Sequence, residues 1–165
     1  MNPPLAGAAG TAVADSLAAP EAARPLHIPK YLESAYWWAY VHPRAVQTFE
    51  REWLVNAILW GNYAGLRDQA LGALRPPGES RIDGHTLQVA CVYGNLTQRL
   101  HGCLAPDARL SVLDILPIQL RNLQAKLPAD DGRVRLVHGD SAAMPLDDAS
   151  VDQALLFFLL HEQPD

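Results

Sequence analysis

Short apolar runs alternate with helical patterns in the second half of the chain. Between the runs, apolar residues recur at helical spacing, which predicts helices over residues 95–104 and 117–126. Strands that alternate with helices predict a parallel sheet with helices on both faces, so the pattern indicates an α/β fold. The four runs are predicted to be strands over residues 86–91, 110–113, 134–137 and 151–158.

The first half of the chain lacks this alternation. Pro43 occupies a favourable first helical position, and apolar residues follow at helical spacing as far as Ile58. A second helix is predicted over residues 63–74, and the cluster Pro76-Pro77-Gly78 marks a boundary. The predicted organisation is a disordered tail rich in alanine and proline (1–26), a helical segment rich in aromatic residues (27–78) and a sheet domain (79–165).

Composition narrows the class of protein. A chain of 165 residues can form one domain with a real core, and its net charge of −5 argues against a nucleic-acid binder. No apolar run reaches the roughly 18 residues that a membrane span needs. Cys91 and Cys103 are predicted to be buried, reduced thiols, because no CxxC or Cys/His zinc pattern accompanies them.

The stretch of residues 87–95 predicts a strand that runs into a tight turn and then a helix. Ligands of open α/β sheets bind beyond the carboxyl ends of such strands. Gly94 permits close approach of the backbone to a ligand, whereas Ala90 and Val92 offer less freedom. Gln88 supplies an amide at a position where a carboxylate could hold a cationic amine of a ligand. The sequence therefore predicts a pocket that is narrower and less acidic than a typical ligand pocket at such a strand end.

Acidic residues end the next two predicted strands. Asp114 follows Gly94 by about twenty residues, a separation at which a carboxylate accepts hydrogen bonds from ribose hydroxyls. Its alternative role is a helix cap ahead of Pro117. Asp140 can accept a hydrogen bond from an adenine amino group while Ser141 offers its backbone, or it can be an ordinary turn aspartate.

Two further places offer candidate chemistry. His161 lies just beyond strand four, where an imidazole can serve as a base, a hydrogen-bond donor or a metal ligand, or be a plain surface residue. An aromatic block in the first half can pack against the sheet or form the wall or lid of a site for a large apolar ligand. The residues of this block are Tyr36, Trp37, Trp38 and Tyr40.

These segments resemble known families. Residues 110–120, 134–140 and 151–161 are similar to the class I S-adenosylmethionine-dependent methyltransferase fold, a Rossmann-like arrangement. Four blocks resemble, more specifically, the rhodoquinone biosynthesis proteins, which are methyltransferase-like enzymes. These blocks are residues 28–33 with 36–45, 53–56 with 58–62, 88–94 and 154–164.

The resemblance implies conversion of ubiquinone to rhodoquinone. In that reaction an amino group replaces a ring methoxy group, S-adenosylmethionine is the amino donor, and manganese supports the reaction. The resemblance also implies roles for individual residues. Cofactor contacts are expected from Gln88, Ala90, Tyr93, Gly94, Asp114, Ile115, Asp140 and Ser141, and quinone contacts from the aromatic block, with His161 as the catalytic candidate.

No motif places the manganese ligands, for which His161, Glu162 and Asp140 are the candidates. An apolar quinone substrate implies peripheral contact with the inner face of the bacterial cytoplasmic membrane. A methyltransferase would normally carry an acid at position 88 and glycines at 90 and 92, so this turn is expected to seat the cofactor's amino acid end differently, with its amine towards the quinone.

Two alternatives remain open. One is a conventional methyltransferase that acts on a small or lipid-like acceptor and releases S-adenosylhomocysteine. The other is a non-catalytic, truncated fragment, because the last strands of the fold would follow strand four and are absent from the sequence.

Overall fold

The computed structural model describes residues 52–92, 94–129 and 131–159 of the chain. The predicted tail, the aromatic block, Tyr93, His161 and Glu162 lie outside these residues. The elements, in chain order, are α1 (Glu52–Ile58), α2 (Tyr63–Ala73), β1 (His85–Val89), α3 (Leu96–Cys103), β2 (Arg109–Asp114), α4 (Pro117–Gln124), β3 (Val134–His138) and β4 (Gln153–Leu156).

The four strands form one parallel sheet in the order β3-β2-β1-β4. Val89 at the end of β1 is level with Leu113 of β2, and Asp114 of β2 is level with His138 of β3. The carboxyl ends of neighbouring strands therefore meet at one edge of the sheet. This confirms the predicted parallel α/β arrangement, which is Rossmann-like.

Each face of the sheet carries its own apolar cluster, because alternate residues of a strand point to opposite sides. Leu110 and Val112 of β2 belong to the larger cluster, to which α2, α3 and α4 contribute side chains. Leu113 belongs to the second cluster, where Leu146 and Val151 from the β3–β4 connection pack against the sheet. Helix α2 thus shares one core with the sheet although it precedes the predicted boundary.

Two strands are shorter than predicted, and backbone conformation explains both ends. Strand β1 ends at Val89 rather than at residue 91, because Ala90 adopts a left-handed φ of +68°. Strand β4 covers residues 153–156 rather than 151–158, and Phe158 has a φ of +56°. A residue in this region cannot continue an extended ladder.

Both cysteines are free, as predicted, but Cys91 and Cys103 are half-buried rather than fully buried. The Cys103 sulfur accepts a hydrogen bond from the Arg75 guanidinium at 3.0 Å. Across the described residues no helix has the length and apolar content of a membrane span.

A charged cluster ties α3 to the start of β3. The Asp131 carboxylate accepts hydrogen bonds from Arg133 Nη2 at 2.6 Å and lies 2.5 Å from His101 Nε2. Arg133 also donates to the carbonyl of Ala105 at 3.2 Å. The hydrogen bonds from Arg133 and then from His101 hold the pKa of Asp131 well below its usual range.

Candidate functional site: the crevice at the carboxyl ends of β1, β2 and β3

Asp114 links the ends of β1 and β2. One of its carboxylate oxygens accepts a hydrogen bond from the backbone N–H of Cys91 at 2.6 Å, and the other from the backbone N–H of Leu116 at 2.8 Å. The side chain is 7% exposed, so the carboxylate opens only narrowly to the crevice. Asp114 does not cap α4, because Leu116 occupies the cap position of that helix.

Burial raises the pKa of the Asp114 carboxyl above its usual value. The backbone N–H groups of Leu116 and Cys91, and the Cys91 thiol, act in the opposite direction because they stabilise the charged form. A carboxylate in such surroundings is matched to a ligand that supplies further donors, since each new hydrogen bond offsets part of the desolvation.

The turn after β1 begins with Ala90, whose φ of +68° lies where glycine is normally found. Its backbone N–H still donates to the carbonyl of Leu113 at 2.8 Å, which extends the β1–β2 pairing by one bond. The alanine expected from the sequence to restrict the turn therefore adopts the conformation that a glycine would adopt, at a cost in backbone strain.

Gln88 lies beneath this turn and is fully buried. Its amide nitrogen donates to the carbonyl of Ala90 at 3.0 Å, and its amide oxygen accepts from the Thr97 hydroxyl at 3.0 Å. The side chain thus joins the turn to α3. Its direct contact with a cofactor stays a prediction, whereas its contact with the turn is a feature of the structure.

Gly94 closes the turn and is buried against Tyr63 of α2. Its φ is +86°, and a β-carbon at this position would lie 2.6 Å from the Tyr63 hydroxyl oxygen and 2.9 Å from the ring carbon that bears it. Both the backbone conformation and the neighbouring side chain therefore require glycine here. The sequence predicted close backbone approach to a ligand, and the structure adds a close approach to Tyr63.

Arg67 of α2 supports the start of α3. Its guanidinium is 5% exposed, donates to the Asn95 side-chain oxygen at 2.7 Å, and lies 5.7 Å from the centre of the Tyr63 ring. Asn95 precedes α3 as predicted, but its side chain makes no capping hydrogen bond, because it faces Arg67 instead. The Tyr63 ring in turn packs edge-on against Phe157, with ring centroids 6.3 Å apart.

The third strand end completes the crevice. Asp140 follows β3 and accepts a hydrogen bond from the backbone N–H of Ala142 at 2.8 Å, which fixes a turn. The backbone N–H of Gly139 donates to the carbonyl of Asp114 at 3.1 Å, so this turn lies beside the β2 end. Ile115 accepts a hydrogen bond from the His138 ring at 3.1 Å, and Ser141 follows Asp140 in the same turn.

The structure thus brings the predicted residues of three segments to one edge of the sheet, namely Gln88, Ala90, Gly94, Asp114, Ile115, Asp140 and Ser141. Sequence reasoning missed Tyr63, Arg67 and Thr97. Helical spacing placed the first two on a helix but could not indicate contact with a turn about thirty residues away. Among the described residues no group of three or more His, Cys, Asp or Glu side chains could hold a metal ion.

The part of the chain that contains this crevice is similar to a known protein family. Residues 86–165 match the family model for a methyltransferase domain. A search of curated proteins returned no significant match.

Among solved structures, the chain is similar to a protein from Methanococcus maripaludis whose title reads "putative s-adenosyl-l-methionine-dependent methyltransferase". The two are 17% identical with a TM-score of 0.47, and the match covers 67% of this chain and 48% of that one. This chain therefore spans about half the length of that protein.

The match to a methyltransferase family model is in keeping with S-adenosylmethionine as the ligand predicted for the crevice. The matched region begins within β1 and includes the turn, Asp114 and Asp140, but not α2. Tyr63 and Arg67 therefore contact Gly94 of the turn and Asn95 from outside the matched residues.

Proposed function

We propose that the protein is an S-adenosylmethionine-dependent methyltransferase that acts on a small or lipid-like acceptor. The observation that carries this proposal is the match of residues 86–165 to a methyltransferase domain. Within that region, a buried acid at the end of β2 is hydrogen-bonded to the turn after β1. A turn with glycine-like backbone conformation after one strand, beside an acid at the end of the next strand, suits a nucleoside ligand.

Asp114 has the acceptor capacity that ribose hydroxyls need. A carboxylate offers about four acceptor positions, and the backbone N–H groups of Cys91 and Leu116 occupy one on each oxygen. The Cys91 thiol is a weak donor that a hydroxyl can displace. The two ribose hydroxyls of a nucleoside can therefore each find an oxygen without breaking the bonds that hold the turn.

The proposed reaction is a nucleophilic substitution at the methyl carbon of the sulfonium. A lone pair of the acceptor forms the new bond to carbon, the carbon–sulfur bond breaks with its electrons going to sulfur, and S-adenosylhomocysteine leaves. The acceptor loses its proton to a base or to water. We assign His161 the role of that base as part of this proposal.

Titration calorimetry with S-adenosylmethionine and S-adenosylhomocysteine tests the cofactor assignment. Binding of both by the 165-residue chain, and weaker binding of both by Asp114→Asn, is the expected result. Absence of binding by this chain, together with binding by a longer form, would favour the non-catalytic fragment. Absence of binding by both forms would remove S-adenosylmethionine as the ligand.

A second candidate is the conversion of ubiquinone to rhodoquinone, with S-adenosylmethionine as amino donor. It is supported by the four sequence blocks that resemble the rhodoquinone biosynthesis proteins and by a turn that carries Gln88, Ala90 and Val92 in place of an acid and two glycines. Manganese belongs to this candidate, and of its proposed ligands only Asp140 lies in the described residues, where its carboxylate already holds Ala142.

The products separate the two candidates. Methyl transfer releases S-adenosylhomocysteine, whereas amino transfer yields rhodoquinone, so mass spectrometry of both species in cells that express the protein distinguishes them. Under amino transfer, the combined variant Gln88→Asp, Ala90→Gly and Val92→Gly should lose amino transfer while it still binds S-adenosylmethionine. Undiminished rhodoquinone formation in that variant would show that the altered turn is incidental.

A lipid-like methyl acceptor and ubiquinone would both have to be reached at a membrane surface. We propose that the aromatic block makes the contact with that surface or with the quinone. Replacing Trp37 and Trp38 with alanine should reduce quinone turnover more than cofactor affinity. Replacing Trp60, which is exposed on the α1–α2 connection, is the matched control for the loss of an indole. Equal losses of turnover and affinity in the Trp37 and Trp38 variants would instead indicate packing against the sheet.

A further inference from the structure

The peptide unit between Ala90 and Cys91 is held at both of its polar ends. Its carbonyl oxygen, which belongs to Ala90, accepts from the Gln88 amide nitrogen at 3.0 Å. Its N–H, which belongs to Cys91, donates to the Asp114 carboxylate at 2.6 Å. The donor beneath the turn and the acceptor at the end of β2 therefore select one orientation of this peptide plane.

The orientation depends on an amide, rather than a carboxylate, at position 88. An amide offers two donors and an acceptor, so Gln88 can donate to Ala90 while it accepts from Thr97. An ionised carboxylate offers acceptors alone, and a buried acceptor facing the Ala90 carbonyl would be repelled. The acid that methyltransferases usually carry here would consequently favour rotation of the peptide, with the N–H rather than the carbonyl facing position 88.

Alanine at position 90 resists that rotation. A residue with a β-carbon at φ +68° is confined to the small left-handed region, where ψ lies between about +30° and +60°. Turning the following peptide over would change ψ by about 180° and move residue 90 into a region that essentially only glycine occupies. An amide at position 88 and an alanine at position 90 therefore favour the same orientation of the 90–91 peptide. An acid at 88 and a glycine at 90 are compatible with the opposite orientation.

We propose that Gln88 is a positioning residue for the cofactor turn and that residues 88 and 90 form a coupled pair. The Gln88 amide keeps the 90–91 peptide turned so that its N–H reaches Asp114, and Asp114 is thereby oriented towards the ribose. This inference rests on the proposed S-adenosylmethionine site for its ligand. It assigns Gln88 an action on the cofactor through Ala90 and explains why two departures from the usual pattern occur together.

The test compares Gln88→Glu, Ala90→Gly and the double variant with the unchanged chain by calorimetric titration of S-adenosylmethionine at pH 6 and pH 8. Gln88→Glu should weaken binding at least tenfold at pH 8 and less at pH 6, because a protonated carboxyl donates as the amide does. Adding Ala90→Gly should recover part of the stability lost in Gln88→Glu at pH 8, measured by urea unfolding, because the peptide can then turn over. The affinity of the double variant should stay at least tenfold weakened, because the turned peptide no longer presents the Cys91 N–H to Asp114.

Two further variants keep the outcome clear. Gln88→Met has a similar length and no donor, so it should weaken binding equally at both pH values. Thr86, like Gln88, lies in β1, and its buried hydroxyl accepts a hydrogen bond from Gln153 of β4, away from the turn. Thr86→Val should lower the thermal midpoint without changing affinity. Affinity restored in the double variant, additive losses of stability in that variant at pH 8, or an equal affinity loss in Thr86→Val would overturn the proposal.

Failure of the proposed function is distinguishable from failure of this inference. If the unchanged chain does not bind S-adenosylmethionine, the proposed function fails, and the four proteins of the cycle are then compared by urea unfolding. The coupling of positions 88 and 90 predicts that Ala90→Gly offsets part of the stability lost in Gln88→Glu at pH 8. Additive losses of stability would overturn the coupling in that case.

Discussion

The Tyr63 hydroxyl oxygen lies 2.6 Å from the point that a β-carbon on Gly94 would occupy. Tyr63 belongs to α2 and is 1% exposed, so it has little room to move away. The turn after β1 is therefore backed by a buried aromatic ring. This contact makes the turn sensitive to changes in α2.

Gly94→Ala should lower the free energy of unfolding by at least about 1–2 kcal/mol, from the left-handed φ alone, and weaken S-adenosylmethionine binding at least tenfold. Combining it with Tyr63→Phe should recover part of both losses, because the closest atom is removed. Thermal unfolding and calorimetry provide the measurements.

Gly65→Ala is the control for this prediction. Gly65 lies in α2 with open space around it, so the substitution should raise the free energy of unfolding by about 0.5–1 kcal/mol. No recovery with Tyr63→Phe would mean that the hydroxyl is not the source of the strain, which then lies in the backbone and in the ring carbon at 2.9 Å.

Ala90→Gly should raise the unfolding free energy by up to about 1 kcal/mol, because glycine adopts a positive φ without the strain of a β-carbon. Affinity for S-adenosylmethionine should stay within about threefold, since Gln88 still holds the carbonyl. Ala149→Gly is the matched control, with a φ of +53° at an exposed site in the β3–β4 connection. A loss of stability at position 90 beside a gain at 149 would show that packing of the Ala90 methyl group outweighs the strain.

Asp114→Asn should weaken S-adenosylmethionine binding by about 10- to 100-fold, the range for loss of hydrogen bonds to a charged group. A cofactor analogue that lacks the ribose hydroxyls should bind weakly to both forms and show little difference between them. The comparison of the two ligands by calorimetry separates a ribose contact from general damage to the crevice. Equal losses for both ligands would place the effect in the turn rather than at the ribose.

Burial raises the pKa of Asp114, and this gives its contribution to stability a definite sign. The folded state binds the proton more tightly than the unfolded state, so this group's contribution to the unfolding free energy rises as the pH falls through the folded pKa towards about 3.9. Cofactor affinity should change in the opposite direction, because protonation removes acceptors. Calorimetric titrations from pH 7.5 downwards should show binding that weakens at the acid end, and an affinity that does not fall even as the pH approaches about 3.9 would argue against Asp114 as a ribose ligand.

Asp131 has the opposite behaviour, since its pKa is held below the usual value by Arg133 and His101. Its stabilisation is present above about pH 3.9 and is lost as the pH falls through the lower, folded pKa. Asp131→Asn should lower the thermal midpoint by about 2–4 °C at pH 7. The difference in thermal midpoint between Asp131→Asn and the unchanged chain should narrow below pH 4, and cofactor affinity should not change. A difference in thermal midpoint that stays constant down to pH 3 would show that the charge of Asp131 contributes nothing to stability.

The sequence predicted the parts of the molecule that depend on local pattern. Apolar runs such as residues 110–113 indicated the strands, and the separation of Gly94 and Asp114 indicated a nucleoside crevice because parallel strands end at the same edge. The roles of Gln88 and Tyr63 were not predictable, since both depend on contacts between residues of different elements. A buried glutamine that bonds to its own turn has the same local pattern as one that faces a ligand.

Helix α2 precedes the residues that match the methyltransferase domain, yet Tyr63 fills the space behind Gly94 and Arg67 holds Asn95. A fragment beginning at residue 86 would keep Asp114 and most of β1 but would leave the inner side of the turn open to water. We therefore expect the shortest stable fragment to begin upstream of Tyr63, so that its border differs from that of the matched family region.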